Sequence, residues 1–197
     1  PHEAWYVDGS LIDVFRPLFA DPTKTFIAHN VKFDRTVLLR YGIGFASTPH
    51  DTMLAHYCLD ASARHGLDAL SEQYLGYRPI SFDEVAGAYR RGGPPQTLVG
   101  KDIRAVCEYA AEDADVALQL EAALRPQVEQ AGCQKTLAEV EEPLVKVLID
   151  MEREGVRVDT VALKEYGAEL EREILGYRQQ ILGYAWPDFN PDSPRQL

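Results

Sequence analysis

The sequence predicts an α/β domain followed by an α-helical segment. Apolar and β-branched runs alternate with helical patterns before about residue 130, and only helical patterns come after that point. The change of pattern falls near Gly132, so we divide the chain into residues 1–131 and residues 132–197. With 197 residues and a hydrophobic share of 46%, the chain is long enough for one core with an appended helical unit.

The first candidate functional residues lie where a predicted strand is followed by a helix. Residues 25–29 form an apolar, β-branched run typical of a buried strand, and Asn30 comes next as a helix N-cap. Asp34 lies one turn further along this helix, which Gly42 ends. Its helix face is otherwise apolar: Val37, Leu38 and Tyr41. A salt bridge to Lys32 or Arg35 is the simplest structural explanation for Asp34.

A second carboxylate interrupts the apolar face of a long helix predicted over residues 101–124. The face recurs at steps of three and four residues: Val106, Tyr109, Asp113, Val116 and Leu120. A carboxylate directed toward a core is costly unless it is hydrogen-bonded, paired or bound to a cation. Taken alone, Asp113 is better explained by a structural polar contact than by catalysis.

Two such carboxylates on helices that flank strands predict a shared cation site. Magnesium and similar hard ions prefer oxygen ligands. Paired metal ions stabilise both the attacking and the leaving oxygen of a phosphoryl displacement. Asp34 and Asp113 are therefore candidate metal ligands.

Five segments resemble, in order and spacing, the proofreading 3′→5′ exonuclease domain of bacterial DNA polymerase I, in the family A polymerases. Asn-x-x-x-Asp and Tyr-x-x-x-Asp are similar to the second and third motifs of the exonucleases with four acidic metal ligands. The other segments resemble further parts of the same domain. In this sequence the five are residues 30–34, 50–54, 64–70, 80–87 and 109–113.

The resemblance implies a ribonuclease H-like exonuclease fold, a mixed sheet flanked by helices, here truncated at its N-terminus. It implies that Asp34 and Asp113 are two of four carboxylates that hold a pair of Mg²⁺ or Mn²⁺ ions. Tyr109 would orient the attacking water, and Asn30 and Phe33 would lie near the substrate. For Phe33, burial in the core is the favoured alternative.

The family's first motif, an Asp-x-Glu on the first strand of the sheet, has no convincing copy here. Residues 5–7 resemble a strand that comes after that motif, while Asp83-Glu84 lies in a predicted loop and His2-Glu3 is terminal. The Mg²⁺ site is therefore expected to be incomplete, and the chain alone is expected to be inactive or weakly active.

The C-terminal part predicts two helices. One has an apolar face at positions 140, 144, 147, 148 and 151 and ends at Gly155. Asp159 caps the next, whose apolar positions are Leu163, Tyr166, Leu170, Ile174, Tyr177 and Ile181. Both resemble the start of the polymerase thumb, which makes the remainder of a polymerase chain the expected partner. No segment resembles the palm or fingers, so polymerisation is not expected of these residues.

Charge and composition limit the possible partners. The net charge of −11 argues against duplex DNA binding by broad electrostatics and favours local capture of a single-stranded DNA 3′ end or a frayed primer terminus. Residues 90–95 form a basic loop that could contact a phosphate backbone. Cys58, Cys107 and Cys133 have no paired spacing, and with no signal peptide or membrane span this predicts a reducing bacterial cytoplasm.

Two alternatives stay open on sequence alone. A ribonuclease D-like exoribonuclease shares the acidic motifs and would differ mainly in the segment that succeeds the domain. An exonuclease-like module with a degenerate, non-catalytic site would also keep the fold.

Overall fold

The chain divides into two units, with the boundary between Arg153 and Glu154. The computed structural model describes residues 5–196. A 3-10 helix covers Gly9–Phe15, and π-helical turns cover Ser71–Leu75 and Leu137–Glu141. The α-helices are α1 (Arg16–Phe19), α2 (Val31–Arg40), α3 (Thr52–Leu59), α4 (Leu67–Leu70), α5 (Phe82–Ala86), α6 (Ile103–Gln130), α7 (Gln134–Thr136), α8 (Glu142–Glu154) and α9 (Thr160–Tyr184).

A small parallel sheet lies between the helices of the first unit. Strand β1 (Ile27–Ala28) pairs with strand β2 (His50–Asp51), with Ile27 opposite His50 and Ala28 opposite Asp51. The predicted strand over residues 25–29 is thus present but shorter. Both strands run directly toward helices, α2 after β1 and α3 after β2, so the carboxyl edge of the sheet meets two helix N-termini.

Residues 5–7 do not form the predicted strand. Trp5 is 82% exposed, and the whole segment is irregular. An extended segment is stable only when a neighbouring strand pairs with its backbone groups, and residues 5–196 provide no such neighbour for it. His2 and Glu3 lie outside the described residues.

The main core is built on α6. Its predicted apolar face is buried at Val106, Val116 and Leu120, and the burial continues to Leu124 and Val128. Ala55 of α3 and Leu70 of α4 pack into the same cluster. The helix therefore places Tyr109 and Asp113 on the face that meets β1 and α4.

Helix α6 is longer than predicted. It continues past Leu124 to Gln130 although Pro126 lies inside it. Proline removes one backbone hydrogen bond from a helix interior. The burial of Leu124 and Val128 on either side of Pro126 offsets that loss and keeps the helix continuous.

Helix α8 forms a second, smaller core with α2. Val145 and Ile149 are buried against Val31, so α8 belongs to the first unit. The apolar face predicted for this helix was wrong, because positions 140, 144, 147, 148 and 151 are all exposed. The change of pattern at Gly132, which has φ of 70°, thus separates α6 from α7 without ending the first unit. The division of the chain at 131/132 into exonuclease and polymerase parts stays a prediction.

The second unit is dominated by α9. The Asp159 carboxylate accepts hydrogen bonds from the backbone N–H groups of Val161 and Ala162, both at 3.0 Å, as its sequence position predicts. All of the predicted apolar positions of α9 are exposed within this structure: Leu163, Tyr166, Leu170, Ile174, Tyr177 and Ile181. No helix among the described residues has the length and apolar content needed to cross a membrane.

Replacing Leu120 should test the core on which α6 is placed. Leu120 has no solvent exposure, so Leu120→Ala should lower the free energy of unfolding by about 2–5 kcal/mol through lost transfer energy and a residual cavity. Leu118→Ala, at a 37% exposed position of the same helix, should cost less than about 1 kcal/mol. Urea unfolding monitored by circular dichroism measures both, and equal losses would contradict this description of the core.

Candidate active site

One buried carboxylate, that of Asp51, positions the elements around the site. Its Oδ1 accepts hydrogen bonds from Asn30 N–H at 3.0 Å and Met53 N–H at 2.9 Å, and a longer one from Leu54 N–H at 3.4 Å. Its Oδ2 accepts from Val31 N–H at 2.8 Å. Asp51 is 1% exposed. Through these hydrogen bonds its carboxylate caps two helices at once: α2, which follows the neighbouring strand, and α3, which directly follows Asp51.

Asn30 does not cap α2 with its side chain, which corrects the sequence prediction. The residue adopts a left-handed conformation with φ of 63° and ψ of 51°, a region that asparagine tolerates better than most residues. Its backbone N–H is taken by Asp51, and no side-chain capping bond is present. The Asn30 amide is therefore left to line the space in front of α2.

All five predicted site residues line one cleft in the first unit. The cleft has a volume of about 660 Å³ and lies between β1, α2 and α6. The five are Asn30, Phe33, Asp34, Tyr109 and Asp113. Most of the remaining wall is apolar, with phenylalanine rings at one side and the small side chains Ala110, Ala114 and Ala117 of α6 at another. Asp34 and Asp113 thus face the same space from two different helices.

Asp34 is a carboxylate with an unusually high pKa. Its side chain reaches solvent at the mouth of the cleft, yet the surrounding protein raises its pKa to about 6, and the negative charge of Asp51 adds to the shift. The salt bridges considered from the sequence do not form. Lys32 pairs with Glu152, and the Arg35 guanidinium lies 5.8 Å from the centroid of the Phe45 ring.

Tyr109 and Asp113 lie one turn apart on α6 and perturb each other. Burial raises the pKa of Tyr109 to about 12, and the nearby Asp113 carboxylate contributes to the increase. Burial also raises the pKa of Asp113, against the opposing effect of the Tyr109 hydroxyl. The phenol is therefore protonated at neutral pH and able to donate a hydrogen bond.

Phe33 is not a core residue, contrary to the favoured alternative. Its side chain is 67% exposed, because α2 buries Val31 against α8 and a residue two positions further along a helix does not lie on the same side. Val37 on the same helix and Tyr41 directly after its end are also exposed, at 36% and 53%. The apolar face predicted around Asp34 is thus largely a surface beside the cleft.

The donor set fits part of a site for a hard divalent cation. Asp34 and Asp113 supply carboxylate oxygens, and no Lys or Arg forms a salt bridge with either within residues 5–196. A cation would offset the cost of keeping both ionised. In the same range no group of three or more His, Cys, Asp or Glu side chains is arranged to hold a metal ion.

The Asp-x-Glu sequence at residues 150–152 does not complete the set. It lies on α8, where Asp150 pairs with Lys146 at 2.7 Å and Glu152 pairs with Lys32. Neither residue lines the cleft. Asp83 lies on α5 and not in the predicted loop; its carboxylate accepts a hydrogen bond from the Gln96 amide at 2.6 Å and does not line the cleft either.

Sequence reasoning missed two residues at the site, Asp51 and His29. The position of Asp51 directly before a helical pattern is a capping signal that could have been recognised. His29 lines the cleft, and its Nδ1 lies 3.0 Å from the Thr52 hydroxyl. Within residues 5–196 its Nε2 is buried without a hydrogen-bond partner, and burial lowers the pKa of the ring, so the ring is neutral at pH 7. No sequence signal distinguishes His29 from an ordinary strand residue.

The structure defines an α/β domain with two carboxylates in one cleft, and comparison with known proteins identifies its family. The profile of the 3′-5′ exonuclease family matches residues 3–129. The chain therefore belongs to the 3′-5′ exonuclease family.

Individual relatives agree with this assignment. DNA polymerase I of Rhizobium leguminosarum is 39% identical over 183 residues, which cover 92% of this chain and 18% of that protein. DNA polymerase I of Pseudomonas aeruginosa is 35% identical over 192 residues, covering 95% and 21%. The chain thus spans about a fifth of the length of these curated relatives.

A solved structure supports the fold. The POL domain of Pol1 from M. smegmatis, in complex with DNA primer-template and dNTP, superposes with a TM-score of 0.70 at 21% identity. The match covers 97% of this chain and 30% of that one. The predicted ribonuclease H-like α/β fold and the resemblance to DNA polymerase I are confirmed, while the roles of the five site residues stay predictions.

Neutralising Asp34 should stabilise the protein above pH 6. The folded-state pKa of about 6 exceeds the ordinary value of 3.8, so ionisation of Asp34 destabilises the fold, fully above pH 6 and not at all below pH 4. Asp34→Asn should therefore raise the free energy of unfolding at pH 7.5 by up to about 1 kcal/mol, since solvent screens the charge. Urea titrations at pH 7.5 and 4.0 should show the gain only at pH 7.5. An equal gain at pH 7.5 and pH 4.0 would contradict the conclusion that ionisation of Asp34 destabilises the fold.

Proposed function

We propose that this chain is the 3′→5′ exonuclease region of a DNA polymerase I, which removes nucleoside monophosphates from DNA 3′ ends by two-metal-ion hydrolysis. The observation that carries the proposal is the convergence of Asp34, Tyr109 and Asp113 on one cleft in a chain of the 3′-5′ exonuclease family. Names of the curated relatives favour DNA over RNA as the substrate.

Asp34 and Asp113 would hold Mg²⁺, or Mn²⁺ in its place, through carboxylate oxygens. Bound divalent cations would lower the pKa of a water molecule and neutralise charge on the scissile phosphate. Both carboxylates have raised pKa values from burial, so a nearby cation would favour the ionised form that binds it.

Tyr109 would orient the attacking water. Its pKa of about 12 keeps the phenol protonated across the pH range of enzyme activity, so the hydroxyl can donate to one oxygen while accepting from another. Because Tyr109 lies one turn from Asp113 on α6, the oriented water would lie close to the cation that the Asp113 carboxylate would hold.

Asn30 and Phe33 would bind the 3′-terminal nucleotide of a single strand or a frayed primer terminus. The Asn30 amide is not used for capping, which leaves its donor and acceptor available to the substrate. The Phe33 ring is 67% exposed beside the cleft, and an exposed aromatic ring offers a stacking surface for an unpaired base. Stacking would also compensate for the weak electrostatic attraction of an acidic protein.

Residues 132–197 would begin the polymerase part of the molecule. The relatives match across this segment as well as across the exonuclease part, since they cover 92–95% of the chain. The exposed apolar positions of α9 would then face the remainder of a polymerase chain.

Substitutions of Asp113 and Tyr109 should separate their roles in a polypeptide that digests DNA. Asp113→Asn and Asp113→Ala should lower kcat by at least about 100-fold, because each removes a ligand charge. Tyr109→Phe should lower kcat by about tenfold, because one orienting hydrogen bond is lost while the cation ligands remain. The assay tracks a 3′-labelled single-stranded oligonucleotide with Mg²⁺ or Mn²⁺.

Glu108→Ala is the matched control for these variants. Glu108 is an exposed carboxylate on the same helix and does not line the cleft, so its loss should leave kcat within about twofold. Full activity of Asp113→Asn would remove the central residue of the proposal.

The 197-residue chain should itself digest single-stranded DNA slowly or not at all. The cleft supplies two of the four carboxylates that the family resemblance implies, and loss of an ion from a two-metal site removes several kcal/mol of transition-state stabilisation. A longer polypeptide that includes an Asp-x-Glu strand should digest the same substrate from its 3′ end. Rapid metal-dependent digestion by the 197-residue chain would mean that the ligands lie elsewhere.

A further inference from the structure

Glu112, which directly precedes Asp113, fastens a separate segment of the chain to α6. Its Oε2 accepts a hydrogen bond from the backbone N–H of Ile80 at 2.6 Å, and its Oε1 accepts one from the Tyr77 hydroxyl. Charge-assisted hydrogen bonds of this kind are about twice as strong as neutral ones. Both oxygens of one carboxylate are thus used on the segment over residues 77–80.

The other end of that segment is also fixed. The buried hydroxyl of Ser71 donates to the carbonyl oxygen of Tyr77 at 2.8 Å, and Tyr77 N–H donates to the Ser71 carbonyl oxygen at 3.3 Å. Ser71 has no solvent exposure. The segment therefore runs from a buried anchor at Ser71 to the Glu112 carboxylate on α6.

From Ile80 the chain enters α5 at once, and α5 contacts Tyr109. A capping box joins Ser81 and Glu84, with Ser81 N–H donating to Glu84 Oε2 at 2.7 Å, so α5 begins rigidly after the Glu112 contact. Phe82, its first residue, has its ring centroid 6.2 Å from that of Tyr109, with the ring planes inclined at 60°. This is within the range of favourable aromatic pairs.

We propose that Glu112 is a positioning residue for Tyr109, acting through the 77–80 segment and the Phe82 ring. The carboxylate holds Ile80, Ile80 leads into the capped α5, and the Phe82 ring supports Tyr109 in the orientation it presents to the cleft. The effect of Glu112 on catalysis rests on the proposed function. The contacts that connect Glu112 to Tyr109 through Ile80 and Phe82 do not depend on it.

Two substitutions distinguish positioning from a simple effect of charge. Glu112→Ala removes both hydrogen bonds and the charge. Glu112→Gln removes the same charge, but its carbonyl oxygen can accept from Ile80 N–H and its amide can donate to the Tyr77 hydroxyl, which also acts as an acceptor. Glu108→Ala removes an equal charge from an exposed position one turn earlier on α6.

The link can be measured on this chain without catalysis. With labelled Phe and Tyr rings, cross-peaks between Phe82 and Tyr109 ring protons, assigned with Tyr109→Phe, should be present in the wild type, Glu112→Gln and Glu108→Ala. They should be lost or weakened at least about threefold in Glu112→Ala, together with protection of the Ile80 amide from hydrogen exchange. Retained cross-peaks in Glu112→Ala, or equal loss in Glu112→Gln, would overturn the proposal. Circular dichroism of each variant tests whether it is folded, and the comparison is made among folded variants.

Kinetics in a polypeptide that digests DNA give the second readout. Glu112→Ala should lower kcat by about tenfold with KM within about twofold, because misplacement of a catalytic group by a fraction of an ångström slows the reaction. Glu112→Gln should recover most of that loss. An unchanged kcat in Glu112→Ala would overturn the positioning role. Absence of digestion by the parent polypeptide would count against the proposed function, while the spectroscopic result would still decide the link.

Discussion

The arrangement of the site depends on one buried carboxylate. Asp51 ends β2 and accepts hydrogen bonds from the first amides of α2 and α3, so a single side chain fixes where both helices leave the sheet. Four backbone donors around one anion compensate for the cost of burying it. Because α2 begins at Val31, the location of Asp34 relative to α6 is a result of this contact. Asp51 thus sets the geometry of a cleft that it does not line.

The cleft concentrates negative charge in a chain that is already acidic. The net charge is −11, and two of the carboxylates, those of Asp34 and Asp113, lie in the cleft without a basic partner among the described residues. The raised pKa values of Asp34 and Asp113 express the electrostatic cost of that arrangement. The proposed binding of cations would offset this cost, because bound cations would supply positive charge to the cleft.

The sequence was informative where pattern and burial coincide. The buried face of α6, the Asp159 cap of α9 and the pairing of Asn30, Asp34, Tyr109 and Asp113 across a cleft were all predictable from spacing and from the family resemblance. Predictions were wrong where a tertiary contact overrides a local preference. Asparagine is a common N-cap residue, but the Asn30 side chain makes no capping hydrogen bond here. The Asp51 carboxylate, at the end of β2, accepts the hydrogen bonds at the start of α2 instead.

Exposure was the least predictable property. Phe33, Val37 and Tyr41 have the composition of a core face, yet α2 buries Val31 against α8 and leaves them open, which no single-sequence pattern specifies. The early end of the α6 prediction has a similar cause, because the burial of Val128 carries the helix past Pro126. In both places packing partners that are distant in sequence decide the outcome.

The small sheet has a consequence for the behaviour of the isolated polypeptide. Within residues 5–196, β1 has a strand neighbour on one side only, and the cleft with its alanine-lined wall lies beside it. Natural sheets usually shield such an edge with charge, a bulge or a covering helix, because open backbone groups template pairing with other chains. Ile27 and Ala28 carry none of these protections in their own side chains. The free edge of β1 therefore presents backbone donors and acceptors that have no strand partner among the described residues and with which an added strand can pair.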